Sequence, residues 1–292
     1  FTNITLQRDV IFDSNAADRT DYENISGAGN ITVTGAARSL FMTANTFTGS
    51  LTVSNSPGGS LQLGTNSAAF NAIPDTTAVT VSAGATFNLS YTAGGNETIG
   101  TLSGAGTVGI NGSSANTLTV GSGDGSSTFS GVIQNGGASV LSLTKVGAGT
   151  FTLTGGNTAT GATTVNGGTL RIGTGGTTGS IAGALAVATG ATAIVDRSDA
   201  SVLAGGLTGA GTFTKAGAGT FNLNAGGSLS GTFNLNGGTV VFNATNPTGA
   251  NATAATFNLA AGTILTTTTA STHAHFGVLN KEGGATITTG AI

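Results

Sequence analysis

The chain of 292 residues has no cysteine, no tryptophan, three prolines and one methionine. Without cysteine there is no disulfide scaffold, no thiol nucleophile and no zinc–thiolate site. Charge is almost as scarce. Eight basic and eleven acidic residues make up 7% of the chain and leave a net charge of −3, where an ordinary soluble domain is about 25% charged. So few cations cannot displace the counterions of a phosphate backbone, which excludes nucleic acid as a partner. No run of about 20 apolar residues is present, so no membrane span is expected. High net charge, the usual cause of disorder, is missing as well. The 51 glycines follow no three-residue period, which sets collagen aside. The stretch from Phe1 to Phe12 alternates polar and apolar residues, without the basic start and apolar core of a secretory leader. It reads as the opening of a mature or excerpted segment.

What is present is repetition. A cassette of small residues, then Thr, then an apolar–polar–apolar run recurs as SAGATFNL at 82–89, VGAGTFTL at 146–153, VNGGTLRI at 165–172, AGAGTFNL at 216–223 and LNGGTVVF at 235–242. The glycine that precedes Thr or Ala-Thr falls at 84, 106, 149, 168, 190, 211, 219, 238, 262 and 284. The spacing stays near 21 residues (one interval is doubled, and the step from 211 to 219 reads as a local duplication). Within each period, Thr150-Phe151-Thr152-Leu153 and Thr169-Leu170-Arg171-Ile172 place one apolar side chain at every second residue, the period of a strand. No segment carries a helical apolar stripe. A unit of two or three short strands cannot bury its inner face alone, so neighbouring units must stack. The expected fold is all-β: a parallel β-solenoid of about 10–14 coils, roughly 50–65 Å long at the strand spacing of a sheet. Phe151, Leu153, Leu170, Ile172, Phe221, Leu223, Phe233 and Leu235 are expected to point inward.

The segment LTKVGAGTFTLTGGNTATGATTVNGGTLRIG at 143–173 resembles the autotransporter-associated β-strand repeat, also called the passenger-associated transport repeat. The likeness lies in Thr-Lys-x-Gly-x-Gly-Thr, Gly-x-Asn-Thr-x-Thr-Gly and Thr-Val-Asn-Gly-Gly-Thr-Leu. A second copy, FTKAGAGTFNLNAGGSLSGTFNLNGGTVVF, covers 213–242, and single cassettes extend the likeness over most of 77–290. The resemblance implies a right-handed parallel β-helix in a secreted bacterial surface protein. No closing series of ten-residue amphipathic strands follows, so no translocating barrel is expected within this chain.

Residues 1–76 match the cassette poorly, and seven of the 19 charged residues fall in the first 24. Residues 1–24 are therefore read as an N-terminal cap or subunit-contact segment, and 25–292 as one solenoid domain. The C-terminal sequence EGGATITTGAI stops in mid-pattern without a polar cap. An open coil is an edge that recruits other chains. Subunit contacts are expected at Ile4, Leu6, Val10 and Phe12 on one side and at Phe276, Leu279 and Ile287 on the other.

Motifs with chemical potential are few, and each has a bland reading. GAGTVG at 104–109 fits G-x-G-x-x-G, but a strand-like segment follows where a dinucleotide site needs a helix. GSGDGSS at 121–127 offers a single carboxylate, Asp124, where calcium needs six to eight oxygens. His273 and His275 share one strand face, with no third metal ligand nearby. Asp196, Arg197 and Asp199 form the best acid–base candidate, but no aromatic platform for a sugar accompanies them. The expectation is therefore a non-enzyme with no catalytic residues, no metal and no cofactor. It would be an extracellular structural subunit at the bacterial cell surface, assembling head-to-tail into a fibre, filament or sheath. The alternatives are an adhesin passenger fragment that binds surface glycans and, less favoured, a polysaccharide lyase or hydrolase.

Overall fold

The computed structural model describes residues 1–15, 19–55, 58–64, 72–89, 95–110, 115–243, 256–267 and 277–289. Among them there is no helix: parallel strands stack as a β-solenoid of about 11 turns. The chain divides into two units, Phe1–Phe151 with Gly155–Gly161, and Thr152–Thr154 with Ala162–Ile292.

In the first unit each coil runs through up to three short strands. The second strands of successive coils, Val10–Asp13, Ile31–Thr34, Leu51–Val53, Ala78–Val81, Thr101–Gly104 and Ser127–Phe129, form one parallel ladder. Its register runs Val10↔Ile31, Ile31↔Leu51, Val79↔Leu51 and Val79↔Leu102. The third strands, Arg19–Tyr22, Arg38–Phe41, Ser60–Leu63, Thr86–Leu89, Thr107–Ile110 and Val132–Ile133, form another. Residues 1–24 thus make the first coil of these ladders even though they lack the cassette. The strand of the next coil follows the alternation of the cassettes: Ile31 and Val33 are buried while Thr32 and Thr34 stay part-exposed. Phe12 stacks on Tyr22 at 4.3 Å and meets Phe41 edge-on.

The second unit repeats the plan. Its second strands are Thr169–Ile172, Thr192–Val195, Thr212–Lys215, Thr232–Leu235, Thr256–Leu259 and Val278–Lys281; its third strands are Ser201–Leu203, Thr220–Leu223, Thr239–Phe242, Ile264–Thr267 and Thr286–Thr289. The eight inward residues named from the sequence are all at most 3% exposed. Phe233 packs at a tilt against Phe213 at 4.9 Å and stacks on Phe257 at 5.2 Å, one coil to either side. Burying side chains of this size contributes about 1.5–3 kcal/mol each.

One reading of the repeats needs correction. The short step between glycines 211 and 219 is not a duplication within one ladder. Thr212–Lys215 belongs to the second-strand ladder and Thr220–Leu223 to the third, so both cassettes lie on one coil. The cassette marks a corner and the strand that leaves it, not a fixed side of the solenoid. Corners are tight because coils stack backbone on backbone. At Gly104, φ is 102° and a Cβ would fall 2.0 Å from the Val81 carbonyl oxygen, so no other residue fits there without moving the neighbouring coil.

Candidate functional site

The best acid–base candidate lies at the corner after Thr192–Val195. Asp196 pairs with Arg171, which stands on the preceding coil. Arg197 grips Asp199 through both oxygens, with Nε and Nη2 each at 2.8 Å. The same guanidinium donates to the carbonyls of Gly179 and Thr177, both at 2.7 Å. The Arg197 fork holds the Asp199 carboxyl below the usual carboxylate range. The structure therefore brings all three predicted residues together with Arg171, as two ion pairs that pin a corner. A carboxylate locked in a bidentate pair is poorly placed to donate a proton. The adjacent cavity is lined by Ile172, Ile181, Leu203 and Phe221 beside Arg197 and Ser201; at about 40 Å³ it has room for a few waters, not for a sugar.

The other motifs resolve into corners. GAGTVG is the turn between Thr101–Gly104 and the strand Thr107–Ile110. Asp124 has φ 58° and accepts the N–H of Ala148 on the next coil at 2.7 Å. No cluster of three or more His, Asp or Glu that could hold a metal occurs among the described residues. His273 and His275 lie outside those residues, as does Phe276.

Of the expected contact residues, Leu6 and Phe12 are buried in their own coil, while Ile4, Val10 and Ile287 are part-exposed. Leu279 is 40% exposed. The most exposed apolar groups of the first coil are two that the alternation passed over, Phe1 at 76% and Ile11 at 68%; at the far end Val278 is 51% exposed.

Sequence reasoning also missed three buried ionisable groups. Lys145 and Lys215 are wholly buried at the ends of the strands Val140–Lys145 and Thr212–Lys215. Lys145 Nζ donates to the carbonyls of Val146 and Gly147 at 2.5 and 3.0 Å. Lys215 Nζ donates to those of Ala216 and Gly217 at 2.5 and 2.7 Å and reaches Gly237 at 3.4 Å. Burial pushes both ammonium groups below the usual lysine range, against the opposing pull of Asp124 on Lys145 and of Asp196 on Lys215. Strict alternation after Leu141 and Leu143 already assigns Lys145 to the inner face; that signal was available. Glu97, 1% exposed, accepts the N–H groups of Ala72 and Ile73, each at 2.9 Å. Burial pushes its carboxyl up to about 8, opposed by those two N–H donors and reinforced by Asp75.

These features define a class: a β-solenoid with outward Thr and Asn, in which Lys145, Lys215, Asp124, Asp196, Arg197 and Asp199 are engaged at corners. Residues 143–172 and 213–242 match the family model of the passenger-associated-transport-repeat, the same two copies picked out in the sequence. No curated protein and no solved structure gives a significant match. The repeat and the fold together fit an autotransporter passenger, and the repeat family suggests a surface or secreted location. No helix among the described residues is long and apolar enough to cross a membrane.

Proposed function

We propose that this chain is a non-catalytic structural segment of a surface-displayed passenger, a spacer that works through its length and its exposed Thr and Asn rows. The observation that supports this best is where the ionisable groups go. Lys145, Lys215, Glu97 and Asp124 bind backbone groups, and Arg171, Asp196, Arg197 and Asp199 bind each other. These eight groups are engaged within the fold and are poorly placed for chemistry on a substrate. Incubating the chain with a panel of anionic and neutral polysaccharides should release no new reducing or unsaturated ends. Release of either would replace this reading with an enzyme.

Head-to-tail self-association is the second part of the proposal. Phe1 and Ile11 are open on the first coil, and Val278 and Leu279 on the last described strand of its ladder. A strand edge carrying such side chains favours addition of another strand. Sedimentation at rising concentration should show growing species, and removing 1–24 should abolish them; a stable monomer sinks the idea. A glycan-binding adhesin has one observation in its favour. A groove of about 280 Å³ is lined by Asn236, Asn258, Asn280, Lys281 and Glu282, amide and charged groups suited to sugar hydroxyls. Binding on a glycan array that is lost in Asn258→Ala would favour it.

A further inference from the structure

Three described corners carry one triplet, Asn-Gly-Gly, at 135–137, 166–168 and 236–238. In each the last glycine is left-handed, with φ of 57°, 59° and 67°. The backbones match at that residue, but the asparagine side chains are held differently. Asn135 is clamped. Its Nδ2 donates to Thr160 Oγ1 at 2.7 Å, and its Oδ1 accepts the N–H of Leu141 at 2.9 Å and of Thr160 at 3.3 Å. Asn166 and Asn236 are exposed, and among the described residues neither side-chain amide has a hydrogen-bond partner. A fourth Asn-Gly pair, 111–112, lies outside the described residues.

An asparagine followed by glycine has an intramolecular reaction open to it. The backbone nitrogen of the glycine, losing its proton to solvent base, attacks the side-chain carbonyl carbon. The bond from that carbon to the amide nitrogen breaks, the departing nitrogen takes a proton from solvent and leaves as ammonia, and a five-membered cyclic imide remains. Water then opens the ring at one carbonyl or the other, giving aspartate or isoaspartate. Glycine favours the attack because no Cβ obstructs the approach. A side chain already committed through both its oxygen and its nitrogen must first break those bonds.

We propose that Asn166 and Asn236 are sites of spontaneous deamidation, and that Asn135, with the same local sequence, is protected by its clamp. Each conversion adds one carboxylate to a chain whose net charge is only −3. At 236 the new charge arises on the corner where Lys215 Nζ caps the carbonyls of Ala216 and Gly217. Both sites lie in the two matched repeats, at the same place in each.

The three corners form an internal control. The folded chain is held at mildly alkaline pH, and its peptides are mapped by mass spectrometry with enzymatic labelling of isoaspartate. Asn166 and Asn236 should convert on the order of tenfold faster than Asn135, which corresponds to about 1.4 kcal/mol of extra barrier. Thr160→Val, an exposed change, removes the Nδ2 partner and should speed Asn135 while leaving Asn236 unchanged. Equal rates at the three corners, or conversion of Asn135 first, overturns the proposal. So does a folded chain that forms no imide products at 166 and 236 while the denatured chain does. If Thr160→Val leaves Asn135 slow, the bond from Nδ2 to Thr160 is not what protects it, and the proposal fails in that part.

Discussion

The corners of the two matched repeats and the corner at Glu97 meet the same difficulty with opposite charges. Where a strand ends inside a stacked solenoid, backbone groups are left buried without a ladder partner, and each such group costs about 1–3 kcal/mol if nothing pairs with it. In the repeats the orphans are carbonyls, and a buried ammonium answers them: Lys145 at Val146 and Gly147, Lys215 at Ala216 and Gly217. Outside the repeats the orphans are N–H groups. Ala72 and Ile73 occupy a place where no strand forms, and the Glu97 carboxyl accepts from both, while Asn45 donates to the Ala72 carbonyl at 2.8 Å from the other side. A repeat motif is thus one solution to corner satisfaction, and a coil without the motif finds another. The comparison also shows what the motif does not specify. Lys145 closes a strand paired with Ala115–Val120, and Lys215 closes one paired with Thr192–Val195, in different ladders. The local structure is the same on either.

The comparison can be broken through pH. Burial pushes the Glu97 carboxyl in the folded chain up to about 8, from an ordinary value of 4.5. The folded state therefore binds more protons than the unfolded state between those values, and stability falls as pH rises through that window, by about 5 kcal/mol in total. Urea midpoints measured from pH 5 to pH 8 should show the fall, and Glu97→Gln should flatten it; an unchanged slope in the variant means the carboxyl is not the group responsible. The next largest effect belongs to the lysines. Lys215→Met keeps the length and apolar stem but strands the turn carbonyls, at a cost of about 2–3 kcal/mol. Lys145→Met should match it to within about 1 kcal/mol if the corner, not the ladder, sets the value. The lysine pH signature runs the other way: their pKa values are lowered by burial, so their contribution grows more favourable as pH rises toward the unfolded lysine value. Loss of that alkaline rise in the double Met variant checks the assignment. Smallest is the surface. Asn258→Ala removes one donor and one acceptor from a part-exposed row and should cost about 1 kcal/mol by thermal melting.

Much of the architecture was legible because it rests on local alternation. Phe151, Leu170, Phe221 and Leu235 declare their inward side by spacing alone, and the near-constant interval between cassettes announces stacking. The first three coils were less legible, since Ile31–Thr34 and Leu51–Val53 join the same ladder without any Gly-Thr cassette to mark them. The side of the solenoid on which a cassette falls could not be read, because the motif encodes only a turn and the strand beyond it. Glu97 was invisible for a different reason: its partners lie 24 and 25 residues earlier, and no short-range pattern links them. The Asp196–Arg197–Asp199 group was found, but Arg171, which neutralises Asp196, sits one coil away.

The outer row of the last described coils has a direction. Asn280 donates its amide hydrogen to Asn258 at 2.8 Å, Asn258 to Asn234 at 2.7 Å, and Asn234 to Thr214 at 3.4 Å. Every amide dipole points the same way, so each bond polarises the next and the row strengthens as it lengthens. It also proofreads. Slipping the strand Thr256–Leu259 by one residue would turn Phe257 to water and drive Asn258 into the core, and both amide rungs would be lost at once. A repetitive sequence offers many near-identical registers to a folding chain; a polarised row of asparagines gives the right one a cooperative advantage that no single rung could supply.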